Sequence, residues 1–212
     1  MKTLIGEKAP AFKATAVVAG SEFIDDFSLE QYKGTKNIVL FFYPLDFTFV
    51  CPTELLDFQG KLIEFEKRDA VVIGCSVDSH FCHWAWLNTL PKDGGIKGVT
   101  YPLISDLDKT IANSYGVLAG QYSLDKDNGE LIFNGNPVAY RGLFLIDKQN
   151  VVRHQVINDL PLGRSVGEAL RMVDALNFHE ENGEVCPANW KNGEEGLVAD
   201  AKGIADYQSK RH

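Results

Sequence analysis

Between Ile38 and Phe42 the chain reads Ile38-Val39-Leu40-Phe41-Phe42, and no residue in that run offers a polar side chain to water. With Asn37 and Tyr43 at its ends, it predicts a strand buried inside a sheet. That sheet has to be covered, which already excludes an open, one-layer fold. Pro44 and Asp46 stop the run, and residues 46–52 form a short connector. Leu55, Phe58, Leu62 and Phe65 then recur at helical spacing and predict a helix over 53–68. A buried strand therefore runs through a tight corner into a helix.

The rest of the chain continues the alternation. Residues 70–77 read as a second apolar strand, 80–90 as a helix, 91–95 as a loop and 107–115 as a short helix. Asn134-Gly135-Asn136-Pro137 between 131–133 and 138–140 carries a hairpin signal. Lys148-Gln149-Asn150 between 142–147 and 151–157 carries another. Ser165 and Glu168 form a capping box for a helix reaching Asn177, with Val166, Leu170, Val173 and Leu176 as its apolar stripe. This order predicts an α/β fold with a central mixed β-sheet flanked by helices. After Asn177 the composition changes. Asn182-Gly183, Pro187 and Asn192-Gly193 mark an extended C-terminal arm with a helix-like stretch at 199–207. The expected division is a domain over 1–177 and an arm over 178–212, too short and polar for a core of its own.

Composition narrows the function. The 212 residues are 45% hydrophobic and 24% charged, with a formal net charge of -8. An acidic chain is a poor match for a phosphate backbone or an anionic membrane, so no nucleic acid and no membrane partner is expected. No run approaches the ~20 apolar residues that span a bilayer. Residues 1–8 lack a signal-peptide core, so a cytoplasmic location is expected. In a reducing compartment the four cysteines, Cys51, Cys75, Cys82 and Cys186, are filler, metal ligands or redox groups rather than permanent crosslinks.

Cys51 stands at the strand-to-helix corner. Unpaired N–H groups and the positive end of the helix dipole favour thiolate there. A helix end contributes only ~0.3–1 kcal/mol, or up to about 2 when partly buried, so a second positive group is called for. Thr48 can offer a hydroxyl to the same pocket, and Pro44 can shield the sulfur from water. The plain alternative is a small buried hydrophobe. A Cys-x-x-Cys pair opens this helix in thioredoxin-type sites, but here the fourth position is Glu54. Any disulfide partner of Cys51 must come from far away.

Pro44-x-x-x-Thr48-x-x-Cys51 resembles the active-site signature of peroxiredoxins. The run Asp46-Phe47-Thr48-Phe49-Val50-Cys51-Pro52-Thr53-Glu54 is similar to the typical two-cysteine class, which includes bacterial alkyl hydroperoxide reductase C and thioredoxin peroxidases. The likeness continues through Ser76-Val77-Asp78-Ser79, the segment from Arg141 to Asp147, the segment from Asn158 to Ser165, and Gly183-Glu184-Val185-Cys186-Pro187. It implies a thioredoxin-like fold, no cofactor and no metal. It implies that Cys51 attacks a hydroperoxide and becomes sulfenic acid. Thr48 and Arg141 would bind the peroxide oxygens, and Glu54 would orient Arg141. Arg164 matches a second arginine near the site, with a structural role at the helix start as the alternative. For Arg141 the plain alternative is a salt bridge at a sheet end.

The likeness further implies that Cys186 resolves the sulfenic acid as an intersubunit disulfide. The unit would then be a homodimer, assembled as a decamer of five dimers. Thioredoxin or a flavoprotein disulfide reductase would be the electron donor. Cys75 reads as core filler and Cys82 as core or interface packing.

Two departures stand out. Oxidation-sensitive members carry a Gly-Gly-Leu-Gly loop and a C-terminal Tyr-Phe pair; here the segments read Gly94-Gly95-Ile96-Lys97 and Tyr207-Gln208. Resistance to over-oxidation is the expectation. The connector from Gly120 to Pro137 is long and is expected to be a surface hairpin. Rival readings are a ring-forming holdase chaperone, a redox-sensing binding protein, a disulfide reductase, which Glu54 disfavours, and a metal site at His80-x-Cys82-His83. On a helix Cys82 is expected to point away from the face shared by the two histidines.

Overall fold

The computed structural model describes residues 3–210. They form two compact units that divide between Val166 and Gly167. The first is built on β1 (Ala14–Val18), β2 (Glu22–Phe27), β3 (Asn37–Phe42), β4 (Ala70–Ser76) and β5 (Leu103–Ser105), with β8 (Arg141–Ile146) and β9 (Val152–Asn158). These seven strands make one sheet in the order β2-β1-β5-β4-β3-β8-β9. The β3–β4 and β4–β5 pairs are parallel, and β8 lies antiparallel to β3 with Ile38 opposite Ile146. The sheet is thus mixed. Its helices are α1 (Cys51–Gly60), α2 (Leu62–Glu66), α3 (His80–Asn88) and α4 (Thr110–Ser114).

The central position of β3 explains its composition. All six residues are buried, because a middle strand has sheet neighbours on both edges and packing on both faces. Its side chains alternate. Ile38, Leu40 and Phe42 enter the cluster that holds Ile73, Cys75, Ile104, Tyr115, Phe144 and Ile146. Phe41 points to the opposite face, where its ring stacks on Phe58 of α1 at 4.4 Å and meets Tyr101 edge-on at 5.9 Å. This stack ties the helix that begins at Cys51 to the strand before it.

Within the first unit, four departures of local structure from the sequence reading stand out. The helix expected over 53–68 begins two residues earlier and breaks at Lys61, whose φ of -110° and ψ of 6° leave the helical region just after Gly60. The short helix expected over 107–115 begins only at Thr110, because Lys109 takes a left-handed φ of 64° and Asp106 accepts the N–H groups of Ile111 and Ala112. Strands β1 and β2 lie outside the elements the sequence reading named. Glu22, Asp25 and Asp26 break the apolar pattern of β2 because it is an edge strand with solvent-facing carboxylates.

The fourth is a misplaced turn. Asn134-Gly135 is not a turn but lies inside β7 (Leu131–Ala139), which pairs with β6 (Leu118–Leu124) as a separate two-stranded sheet. The chain reverses at Asp125–Glu130, where Gly129 takes φ 73° and the Asp125 N–H bonds the Glu130 carbonyl. Gly135 faces Gly120 across the ribbon, and the Phe133 ring covers Gly120 so closely that a Cβ there would meet it at 2.3 Å. The glycines serve close backbone packing in a strand. The region does form a surface hairpin, with Tyr122, Leu124 and Leu131 exposed.

The second unit holds most of α5 (Val166–Asn182), an irregular segment and α6 (Ala201–Ser209). α5 runs five residues past the expected end at Asn177 and stops at Gly183, whose φ is 69° and whose N–H bonds the His179 carbonyl. The buried Trp190 ring packs on Phe178 at 4.8 Å. Asp200 caps α6 by accepting the Gly203 N–H at 2.6 Å.

Candidate active site

Cys51 is the first residue of α1 and is fully buried. Pro52 follows it in the first helical turn, where a missing N–H costs nothing. The Cys51 sulfur receives the Arg141 Nη1–H at 3.4 Å. Arg141 opens β8, the antiparallel neighbour of β3, so the sheet carries its guanidinium to the helix start. The same nitrogen donates to Glu54 Oε2 at 2.8 Å, and Nε donates to the Leu160 carbonyl at 2.6 Å. Glu54 lies one turn after Cys51 on α1 and is buried.

Arg164 holds Glu54 from the other side. Its Nε donates to Oε1 and its Nη2 to Oε2, at 2.8 and 2.9 Å. Its Nη1 donates to the carbonyls of Phe42 and Gly142, both at 2.6 Å. Burial pushes the Glu54 carboxyl up, but the Arg164 hydrogen bonds and charge, helped by Arg141, outweigh it and hold Glu54 below the usual carboxylate range. Burial also pulls Arg164 down while Glu54 resists. Two buried guanidinium groups thus share one carboxylate. The trio carries one net positive charge, and the sulfur it faces is that of Cys51.

The connector between β3 and α1 is fixed by a second buried network. Tyr43 donates its hydroxyl to Asp46 Oδ1 at 2.8 Å, His83 Nδ1 pairs with Asp46 Oδ2 at 2.7 Å, and the Asp46 N–H bonds Asp78 Oδ2 at 2.9 Å. Burial works against a charge on His83, but the Asp46 hydrogen bond and charge prevail and raise its pKa above the ordinary histidine value. Phe47, next in the chain, takes a left-handed φ of 53°, a conformation that costs a non-glycine residue energy and persists only where neighbours impose it. Thr48 then spends its hydroxyl hydrogen on the Leu45 carbonyl at 2.9 Å, which leaves its oxygen lone pairs free to accept. Pro44 is buried at the head of this loop.

Of the residues singled out from sequence, the structure joins Cys51, Glu54, Arg141 and Arg164 in one bonded set and places Pro44 and Thr48 on the loop leading into it. Arg164 does more than begin a helix: it is the main support of Glu54. Cys186 lies in the second unit, half-buried, with its Sγ on the Ala175 carbonyl at 3.5 Å. Cys75 belongs to the core cluster, and burial pushes its thiol far up, so it is inert.

Cys82 forms no ligand cluster with His80 or His83 among the described residues; it groups instead with two carboxylates. Its sulfur lies within 4.8 Å of carboxylate oxygens of Asp46 and Asp78, while the His80 ring packs on Phe81 and Phe23. Burial and those two carboxylates push the Cys82 thiol up to about 12, and a protonated thiol is a poor metal ligand. The network of Tyr43, Asp46, Asp78 and His83 was missed from sequence, where His83 was weighed only as a metal ligand, because no periodicity connects a loop, a strand end and a helix. The one available signal was that Asp46 and Asp78 both lie in the segments that resemble the family.

Comparison with known proteins gives the same answer as the geometry. Residues 5–155 match the AhpC/TSA family model, and residues 175–210 match the model of the C-terminal domain of 1-Cys peroxiredoxin. The chain is 44% identical over 207 residues to alkyl hydroperoxide reductase C of Buchnera aphidicola from Acyrthosiphon pisum, covering 98% of each chain. It is 48% identical to peroxiredoxin-1 of Gallus gallus, covering 99% of this chain and 98% of that one. A crystal structure of reduced Plasmodium vivax 2-Cys peroxiredoxin superposes with a TM-score of 0.87 at 40% identity, covering 98% of this chain and 100% of that one. Fold and site together define a thiol-dependent peroxidase built on the thioredoxin fold. More narrowly, the chain belongs to the AhpC/TSA family as a typical two-cysteine peroxiredoxin.

Proposed function

We propose that Cys51 is the peroxidatic cysteine and that it reduces hydrogen peroxide and organic hydroperoxides. The observation that carries this reading is the unbalanced positive charge of the Glu54, Arg141 and Arg164 trio, aimed at Cys51 through Arg141 at 3.4 Å. A thiolate is the anion that balances it. Attack on the terminal peroxide oxygen forms an S–O bond and breaks the O–O bond. The leaving oxygen departs with a proton as water or an alcohol, and Cys51 becomes sulfenic acid. Arg141 is positioned to bind the negative charge that develops on the oxygens. Thr48, its own hydrogen committed to Leu45, is positioned to accept the peroxide O–H. Burial of the sulfur also separates this reaction from disulfide reduction, which needs a sulfur that another protein can reach.

The second half of the cycle belongs to Cys186, carried by the arm expected over 178–212. A disulfide needs Cα atoms roughly 4.4–6.8 Å apart. A buried Cys51 must leave its pocket to meet any second sulfur, so the first turn of α1 opens at this step. We read the product as an intersubunit disulfide in a homodimer, with five dimers assembled as a decamer. Thioredoxin or a flavoprotein disulfide reductase then restores the thiols. Four free thiols and this chemistry fit a cytoplasmic enzyme. At the Gly94-Gly95-Ile96-Lys97 turn only Gly94 needs left-handed φ, at 82°, and only Gly95 lies where a Cβ would collide with the Thr89 backbone. Lys97 therefore keeps the turn without a fourth glycine. We read the Lys97 and Tyr207-Gln208 departures as marks of an enzyme that resists sulfinic acid formation.

A stoichiometric hydrogen peroxide pulse on the reduced protein, followed by non-reducing electrophoresis, tests the cycle. Wild type should give a disulfide-linked dimer, and Cys51→Ser and Cys186→Ser should not. Peroxide consumption by Cys51→Ser at the wild-type rate would overturn the assignment.

A further inference from the structure

The loop that carries Cys186 lies along one face of α5, and Arg171 anchors it there. The Arg171 guanidinium is fixed by Glu168, one turn earlier, through two bonds of 2.7 Å. Its Nη1 then donates to the Trp190 carbonyl at 3.1 Å, which lies in the loop four residues after Cys186. Cys186 Sγ sits on the carbonyl of Ala175, one helical turn from Arg171 and therefore on the same face. His179 continues that face by bonding the Glu184 carbonyl at 2.8 Å.

We propose that Arg171 is a positioning residue for resolution: it holds the Cys186 loop against α5 and sets its positive charge beside the sulfur as that sulfur becomes the attacking thiolate. The proposal rests on the reading of Cys186 as the resolving cysteine. In the second unit the other charged or titratable groups near the loop include Glu168, Asp174, His179, Glu180 and Glu181 on α5, and Glu184, Lys191, Glu194, Glu195 and Asp200 on the loop itself. Arg171 is the group among them whose charge acts on the Cys186 thiol, lowering a pKa that burial raises. There is a parallel with Cys51: each sulfur feels the charge of a guanidinium, and each guanidinium is held by a glutamate on the helix.

In the step itself the Cys186 thiolate gives an electron pair to the sulfur of the Cys51 sulfenic acid. The S–S bond forms, the S–O bond breaks, and the departing hydroxide takes up a proton as water. Arg171 takes no part in the making or breaking of these bonds. Its effect falls on the thiolate population of Cys186 and on where that sulfur is presented.

Acid-quenched time courses on the reduced full-length protein, read by mass spectrometry after a hydrogen peroxide pulse, separate sulfenic acid formation from disulfide formation. Arg171→Met should leave the first step at the wild-type rate and slow the second about fivefold near neutral pH. The deficit should shrink as pH rises, because a more alkaline solution supplies the thiolate that the guanidinium no longer favours. Arg171→Lys should restore most of the rate and the wild-type pH profile. A purely structural anchor would slow resolution equally at every pH and would not be rescued by lysine; that result, or an unchanged second step in Arg171→Met, overturns the proposal. If wild type forms no disulfide through Cys186, the reading of Cys186 itself is what fails.

Discussion

The two cysteines of the cycle are held in opposite ways. Cys51 stands in a pocket whose charged groups are all buried and bonded to one another: Glu54, Arg141 and Arg164 share hydrogen bonds of 2.8–2.9 Å, and Arg164 also grips two sheet carbonyls. Cys186 stands half-exposed on a loop, its sulfur held by one hydrogen bond to the Ala175 carbonyl, and the guanidinium and glutamate beside the loop are partly open to solvent. The difference follows from the two jobs. Reaction with a peroxide needs fixed dipoles around a dry sulfur, which are worth more than the same groups in water. Resolution needs a sulfur that a second sulfur can reach, and Cys186 is half-exposed where Cys51 is buried.

The sharpest way to break this comparison is at Glu54. Glu54→Gln leaves two buried guanidinium groups without their shared anion, and loss of one partner from a buried ionic set costs about 3–5 kcal/mol. Urea unfolding should show that loss at neutral pH. The pH dependence has a definite sign. Glu54 titrates below its ordinary value in the folded protein, so its stabilisation is present above the unfolded pKa and is lost as pH falls through the folded one. Wild type and Glu54→Gln should therefore converge in acid. A variant as stable as wild type at pH 7 would mean that the network is not under ionic tension at all.

Next in size is Arg141→Met. Removing one preorganised donor from a developing charge costs roughly 10²–10³ in rate. Stopped-flow oxidation of Cys51 by hydrogen peroxide should slow by that factor. A loss below about fivefold would place Arg141 with Arg171, as a modest electrostatic aid, and would erase the contrast between the two sites.

How much of this could be read from the chain itself differs between the two kinds of information. Local patterns were legible. The apolar run of β3, the strand pair around Lys148-Gln149-Asn150 and the helix after Ser165 all follow from composition and spacing, and the structure contains them. The corner at Cys51 was legible too, and with the family likeness it brought Glu54, Arg141 and Arg164 to notice. What stayed hidden was long-range partnership. Arg164 and Glu54 are 110 residues apart and His83 and Asp46 are 37 apart, and nothing in either segment records the other. The misplaced turn at Asn134-Gly135 has the same cause. Asn-Gly marks a type I′ turn when the strands on either side pair with each other, but here the pairing partner was β6, and glycine was needed for backbone contact with Gly120.

The His83 to Asp46 pair tests the loop beneath the site. His83→Gln keeps a hydrogen-bonding side chain but cannot carry charge, so the expected loss of stability is about 1–3 kcal/mol. Because the folded protein raises the His83 pKa, the ionic part of this stabilisation is complete below the unfolded value and fades as pH rises through the folded one. The gap between wild type and His83→Gln should thus be widest in mild acid and narrow toward alkaline pH, opposite in direction to the Glu54 comparison. A gap that widens with pH would show that the ring is neutral in the fold.

The smallest expected effect lies in the second unit, at Gly183→Ala. Gly183 ends α5 at φ 69° and bonds the His179 carbonyl, and a Cβ there meets nothing within 4 Å. The only cost is the left-handed backbone, about 1 kcal/mol. That cost falls on the last turn of α5 and on the chain leading to Cys186. Amide exchange in residues near His179 should speed up about fivefold, which is that energy expressed as an opening equilibrium. Oxidation of Cys51 should not change, since its pocket is braced by buried ions that this residue does not touch. The disulfide step should change by less than about threefold, because Arg171, which presents the sulfur, lies well before Gly183 on α5 and keeps its bonds to Glu168 and Trp190. A tenfold loss of resolution would instead mean that the last turn of α5, rather than Arg171, sets where Cys186 is presented.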